Sequence, residues 1–426
     1  MIDLNTMEQR YTAGKGSVFS CLFSCIMIRS RSGLLLFLLA VSAGLHAQVP
    51  DTLRIGVSDT LRLFSADTIT IIGTEDTLHI VPGDTLVIAG QGEFVASVPF
   101  DTLVIAGVGD IMLGTDYPSE RYLPPGKDCF PLMQEVKSWL EEADVAVGNL
   151  EGTFAGECGE PKFCRDTLNC YVFRMPEEFV HCLVDAGFDL ISVANNHSND
   201  FGLAGRKNTG NVLTEAGLAW AGFDHVPCAL WEKDSVRYGF CAFSTSGGTP
   251  LIQDLETAAR LVAQMDSLSD VVIVSFHGGA EGKDHEHVPR TTEEFLGTDR
   301  GDVYAFAHAV VDAGADVVFG HGPHVTRSVD LYRDRFIIYS LGNFCTWGRF
   351  NLSGPNGIAP IVRVKVNRRG EFLEAQVVPV YQPGWGGTFH DPEKRVIRKL
   401  QELLEHDFPE VPLMIDEEGM IRKTGG

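Results

Sequence analysis
The chain has 426 residues, 44% hydrophobic and 21% charged, a globular balance that excludes a disordered or collagen-like chain. Its 57 Asp and Glu against 34 Lys and Arg give a net charge of -23; a field of that sign repels phosphate backbones, so no nucleic-acid partner is expected. A local anion pocket built on a metal stays open, and ten cysteines are too few for a disulfide scaffold at this length.

Residues 34–47, LLLFLLAVSAGLHA, form an apolar run behind Arg29 and Arg31. A bilayer helix needs ~20 such residues, so the run is short. With Ala47 before Gln48 it reads as a secretory signal peptide over 1–47, or as an uncleaved N-terminal anchor, with Met27 a candidate true start. The expected location is therefore outside the cytoplasm: periplasmic, or membrane-anchored and facing the exterior. In an oxidising compartment, the loop-rich stretch with Cys129, Cys158, Cys164 and Cys170 is expected to carry one or two disulfides. Cys182, Cys228, Cys241 and Cys345 read as buried free thiols.

Between the leader and Phe100 a triplet recurs. Asp-Thr-Leu or Asp-Thr-Ile starts at Asp51, Asp59, Asp67, Asp76, Asp84 and Asp101, mostly eight or nine residues apart. Each leads into a β-rich tetrad such as LRLF, ITII or LVIA, which predicts an N-terminal arm of short strands over 48–100.

From Thr102 the pattern becomes strand then helix. Apolar runs lie at 102–109, 144–149, 188–195, 237–244, 270–276, 315–320 and 336–342, with helical-period segments at 131–143, 176–187 and 302–314. Pro176 suits a first turn and Gly187 a C-cap. Near-continuous apolar strands between helices predict a layered α/β domain over 101–390, its β-sheets flanked by helices. The stretches 358–366 and 372–381 suggest a second sheet or an antiparallel edge. Residues 391–408 read as an amphipathic helix that opens a C-terminal tail to 426.

Polar residues collect where these strands end: Asp110; Asn149 and Glu151; Asn195, Asn196 and His197; His277; His321 and His324; Asn343. Parallel strands of an open α/β sheet deliver their carboxyl ends to one rim, where ligands bind. A single Asn-His after a strand is usually a turn; recurrence at the same topological position is the signal. Oxygen and imidazole donors suit one or two divalent ions such as Mn, Zn or Fe. Two ions about 3.5–4 Å apart would activate water and clamp an anionic oxygen, and an imidazole just outside them would protonate a leaving group. No Gly-rich phosphate loop with Lys-Ser/Thr and no G-x-S-x-G elbow occurs.

The segments GVGDIMLG (107–114), VGNLEGTF (147–154), SVANNHSNDFG (192–202), VSFHGGAEG (274–282), DAGADVVFGHGPHV (312–325) and IIYSLGNF (337–344) resemble, in this order, the bacterial capsule-synthesis CapA family of poly-γ-glutamate biosynthesis. That family's fold is similar to the calcineurin-like metallophosphoesterases. The resemblance implies Asp110, Glu151, Asn196, His277, His321 and His324 as metal ligands, with Glu151 bridging, and His197 as an outer-sphere acid. Asn149, Asn195, Asp200, Glu281 and Asn343 would support these groups or face substrate. Met112 stands where phosphatases carry a ligating His, and one extra residue separates His321 from His324. His-Gly-Gly-Ala-Glu at 277–281 lacks the Trp of many relatives; Trp347 and Phe350 are candidates to replace that wall, or core residues. The implied role is making or processing an anionic envelope polymer of poly-γ-glutamate type, or a phosphoester, with other capsule components as candidate partners. The site reads as a metal-dependent hydrolase or transferase; the alternative is a non-catalytic component that binds polymer or guides its export.

Overall fold
The computed structural model describes residues 102–164 and 170–424 in full, and before them the backbone of short strands only. The chain divides into two units, Met1–Phe100 and Asp101–Gly426. In the first, each Asp-Thr-Leu/Ile triplet opens a strand: Leu53–Ile55, Thr60–Arg62, Ile69–Ile72, Thr77–Ile80 and Thr85–Val87. The expected leader lies outside the described residues, apart from the backbone of strands Leu22–Ser30 and Gly33–Val41. No helix among the described residues is long and apolar enough to cross a membrane.

The second unit is built on two large sheets. The ten-stranded sheet runs Ala219–Ala221, Leu190–Ser192, Val145–Leu150, Thr102–Met112, Ile358–Asn367, Phe372–Tyr381, Met420–Lys423, Leu413–Ile415, with Asn343–Thr346 also paired to Thr102–Met112 and Phe389–His390 to Phe372–Tyr381. Its first four strands are parallel. The six-stranded sheet runs Cys228–Lys233, Val236–Ser244, Val271–His277, Val317–His321, Arg335–Ile338, Val329–Tyr332, with a parallel centre.

Period-two alternation sorts the first sheet's side chains into two cores. Ile105, Val147 and Leu190 join Phe240, Ile273 and Phe319 of the other sheet, and through it Val262 and Phe306 of helices Leu255–Asp266 and Val303–Asp312. Their neighbours Ala106, Ala146 and Ile191 join Leu140, Leu183 and Leu213 of helices Lys137–Glu141, Val180–Asp185 and Gly202–Glu215. The layers are therefore helices, sheet, sheet, helices, the expected layered α/β domain.

The central strand Thr102–Met112 forks along one edge. Its first half pairs antiparallel with Ile358–Asn367, and its end pairs parallel with Asn343–Thr346. Gly109 permits this fork: a Cβ there would lie 1.9 Å from the Gly342 carbonyl oxygen.

Several expectations need correction. The run 336–342 does not end one strand; Arg335–Ile338 belongs to the six-stranded sheet and Asn343–Thr346 to the ten-stranded one, with Gly342 at φ 65° between them. Of the two alternatives for 358–366 and 372–381, the antiparallel one holds: both strands extend the first sheet. The segment 131–143 breaks into a turn at Phe130–Leu132, which includes Pro131, and a short helix Lys137–Glu141. The strand expected over 188–195 shortens to Leu190–Ser192, which frees Asn195 to His197 for a loop. The C-terminal helix spans Arg395–Asp407 and buries Val396, Ile397, Leu400, Leu403 and Leu404.

The cysteines also pair differently. Cys129 bonds Cys182, Cys164 bonds Cys170 and Cys228 bonds Cys241, so Cys182, Cys228 and Cys241 are not free thiols. Cys228 and Cys241 face each other in register on antiparallel strands, a proximity that only the strand pairing creates. Cys158 and Cys345 are free.

Candidate metal centre
The site forms where strand ends of both sheets meet. In register, Asp110 stands beside Asn149 on one side and Asn343 on the other, while His277 stands beside His321 in the second sheet. Asp110, Glu151 and His277 are fully buried.

Asp110 Oδ2 is 2.9 Å from His324 Nδ1, and its Oδ1 accepts from Asn149 Nδ2 at 2.8 Å and lies 3.5 Å from His321 Nδ1. Glu151 Oε1 lies 3.4 Å from His277 Nε2 and 3.5 Å from His324 Nε2. Atoms of Asp110, Glu151 and His277 all fall within 4.8 Å of one another. His324 reaches Asp110 because its own backbone is left-handed, at φ 57°. That turn absorbs the extra residue between it and His321.

The fit to a cation rests on what these groups lack. Both oxygens of Glu151, both ring nitrogens of His277 and of His321, Asn196 Oδ1 and Asn343 Oδ1 are buried without a hydrogen-bond partner. A buried polar atom left unpaired costs about 1–3 kcal/mol, so native proteins rarely leave such groups clustered. The oxygens, and one nitrogen of each neutral imidazole, offer lone pairs, and oxygen with imidazole suits a borderline divalent ion. No thiolate competes: Cys345 is buried, with burial pushing its thiol up to about 12. Met112 is fully buried in the helix-side core and supplies nothing to the cup.

Charge is balanced within the cup. Burial opposes ionisation of Asp110, but the nearby His321 ring and the hydrogen-bonded His324 outweigh it and hold the carboxyl well below its usual range. Burial, then the charge of Asp110, raises Glu151 well above its usual range. Burial, then Arg300, keeps His277 neutral. Burial disfavours the charged form of His324, yet Glu151 and Asp110 raise it to about 10. A cation entering such a site takes the place of these protons.

Other expected residues stand around the cup. Asn195 donates to Asn149 Oδ1 at 3.1 Å and to the Leu150 carbonyl at 2.8 Å, which locks the loop to the strand. Asn343 Nδ2 donates to the carbonyls of His324 and Asn356. His197 Nδ1 lies 2.8 Å from Asp200 Oδ2; burial first, opposed by Asp200, lowers its pKa. Glu281 does not join the three-residue ligand group; its Oε1 pairs with Arg300 Nη2 at 3.1 Å.

Sequence reasoning missed Lys162, whose Nζ holds the other Asp200 oxygen at 2.6 Å; it sits in a loop with no periodic signal. It also missed Phe173. The Phe173 ring lies 4.3 Å from that of His197 and 5.3 Å from that of Phe350, which in turn lies 5.6 Å from His324. Phe350, with Phe173, therefore forms the aromatic wall. Phe350 and Trp347 both pack on the helix-side core, and of the two Phe350 also meets the His324 ring. A further His-His-Asp group, His287, His406 and Asp407, is largely exposed; both rings engage Asp407 Oδ1, at 2.8 and 2.9 Å, and tie a loop to a helix end.

Fold and cup together define a layered α/β protein that gathers oxygen and imidazole donors at a strand-end rim. The family model for "Bacterial capsule synthesis protein PGA_cap" matches residues 104–346, and the chain belongs to this family. It is 30% identical over 232 residues to the "Capsule biosynthesis protein CapA" of Bacillus anthracis, a match covering 50% of this chain and 53% of that protein. It is 28% identical over 229 residues to the "PGA biosynthesis protein CapA" of Bacillus subtilis (strain 168), covering 50% and 56%. The matches thus span about half the length of these curated relatives. Among solved structures, a hypothetical protein from Thermus thermophilus overlaps at TM-score 0.40 and 14% identity, over 68% of this chain and 100% of that one. Purple acid phosphatase PPD1 from yellow lupin overlaps at TM-score 0.34 and 10% identity, over 88% and 80%.

Proposed function
We propose that this chain is an exported component of poly-γ-glutamate capsule formation that holds one or two divalent ions in the cup and there cleaves or transfers an anionic polymer. The observation that carries this reading is the set of buried, unpartnered donors on Glu151, His277, His321, Asn196 and Asn343. Family membership supplies the polymer. The three disulfides support the oxidising location that the leader suggests.

Asp110, Glu151, Asn196, His277, His321 and His324 would hold the ions, which when bound supply Lewis acidity and a more acidic water. The remaining work belongs to the chain itself. Asp200 fixes the His197 ring through Nδ1, so Nε2 is the atom that holds or receives a proton. The Phe173 amide, at 2.6 Å, and Lys162 occupy the other lone pairs of Asp200 and keep it ionised. Phe173 and Phe350 shield the His197 and His324 rings from water.

The non-catalytic reading has one observation in its favour: Met112 lies in the core where a phosphatase has a ligand. The two readings part in one experiment. Poly-γ-glutamate is incubated with metal-loaded wild type and with His197→Ala, and chain length is followed. Shortening or transfer by wild type, lost in the variant, supports catalysis. Binding without any change in length, across Mn, Zn and Fe, would establish the binding role instead.

A further inference from the structure
The rim beside Phe350 carries charge opposite to that of the chain as a whole. The Arg349 guanidinium carbon lies 4.7 Å from the Tyr171 ring centroid and 5.0 Å from that of Tyr122. Arg121 lies over the same Tyr122 ring at 4.5 Å and bonds its hydroxyl. Neither guanidinium pairs with a carboxylate among the described residues. Elsewhere in the domain the arginines are mostly spent on acids: Arg174 on Asp116, Arg237 on Asp270, Arg300 on Glu281, Arg327 on Glu293.

The turn that presents Arg349 is specific. Gly348 has φ 85°, and its amide donates to the Trp385 carbonyl at 2.8 Å. Phe350, the next residue after Arg349, already packs against His324 and Phe173. The ring under Arg349 leads towards the cup: Tyr171 lies 6.2 Å from Phe173, and Phe173 lies 4.3 Å from His197.

A guanidinium held over aromatic faces keeps its charge and its in-plane N–H fork. That fork matches a carboxylate in two-point fashion. On a protein of net charge -23, an anionic chain is repelled at long range, and a local unpaired cation is what makes its approach favourable.

We propose that Arg349, seated on Tyr122 and Tyr171 and flanked by Arg121, is the subsite that grips a carboxylate of the polymer and feeds the neighbouring linkage into the cup. This rests on the function proposed above and names the residue that reads the substrate.

The test uses a fluorescent γ-linked glutamate oligomer and metal-loaded protein, with anisotropy as readout. Arg349→Ala should weaken binding about tenfold, in the range of a charge-assisted hydrogen bond, with metal content and melting temperature unchanged. Arg349→Lys should recover part of the loss, and raising the salt should shrink the difference between wild type and Arg349→Ala. Equal affinity of wild type and Arg349→Ala would overturn the subsite and leave the proposed function standing. Arg349-dependent binding of polyphosphate in preference to the oligomer would overturn the carboxylate assignment. If metal-loaded wild type does not bind the oligomer at all, the proposed function fails, and the subsite with it.

Discussion

Asp110 and His324 stand 214 residues apart in the chain and meet at 2.9 Å. The contact joins the end of the ten-stranded sheet's central strand to the turn after the six-stranded sheet's Val317–His321, and it draws His324 Nε2 towards Glu151. His324→Ala should therefore weaken metal affinity by about tenfold or more, the usual effect of losing a ligand or its orienting partner. Equilibrium dialysis against buffered Mn or Zn checks this; equal affinity would place His324 outside the metal's reach.

Asp200 bonds the His197 ring and is not one of the three residues that converge at the cup. Asp200→Asn should lower turnover of polymer by about 10–100-fold, in line with other residues that orient a catalytic imidazole, while metal content stays at the wild-type level. Lys162→Ala should give a smaller loss in the same direction, because it removes only one partner of Asp200. Parallel loss of metal in Asp200→Asn would contradict this division of labour.

The Cys129–Cys182 bridge closes a stretch of 53 residues and joins the turn at Phe130–Leu132 to helix Val180–Asp185. A loop of that length corresponds to about 4 kcal/mol of unfolded-chain entropy. The double variant Cys129→Ala with Cys182→Ala should shift the denaturant midpoint down accordingly. An unchanged midpoint would mean the bridge adds nothing to stability.

Asp316 sits at the base of the six-stranded sheet, and burial raises its carboxyl to about 6 despite the Val272 amide at 2.8 Å and Arg335 at 2.9 Å. A folded-state pKa above the unfolded value means the group stabilises fully below pH ~4 and loses that contribution as pH climbs through about 6. The shift of about two units sets a ceiling of about 3 kcal/mol. Asp316→Asn should flatten the stability difference between pH 4 and pH 7 by about 1–3 kcal/mol in urea unfolding. Parallel pH curves for variant and wild type would count against the buried carboxyl.

Much of the site could be read from the sequence because its residues follow apolar strands, where period and position are tightly linked. Asp110, Glu151, His277 and His321 each stand at or just past the end of such a run. The division of these strands between two sheets could not be, since a run such as FIIYSLGN looks continuous although Gly342 turns it from one sheet to the other. Pairings that depend on tertiary proximity were also hidden: Cys129 with Cys182, Lys162 with Asp200, Arg349 with Tyr171. None of these has a spacing rule, because each partner sits in a loop or on a separate element. Phe350 and Trp347 look equivalent in the sequence, and only the fold brings Phe350 to 5.6 Å from the His324 ring.

The most direct test of the central claim is elemental analysis of the purified protein beside the triple variant Asp110→Asn, Glu151→Gln, His321→Ala. About one or two equivalents of a divalent transition metal are expected in the wild type and near-complete loss in the variant, with the circular dichroism of both forms alike. A metal-to-protein ratio that is the same in the two proteins would contradict the claim.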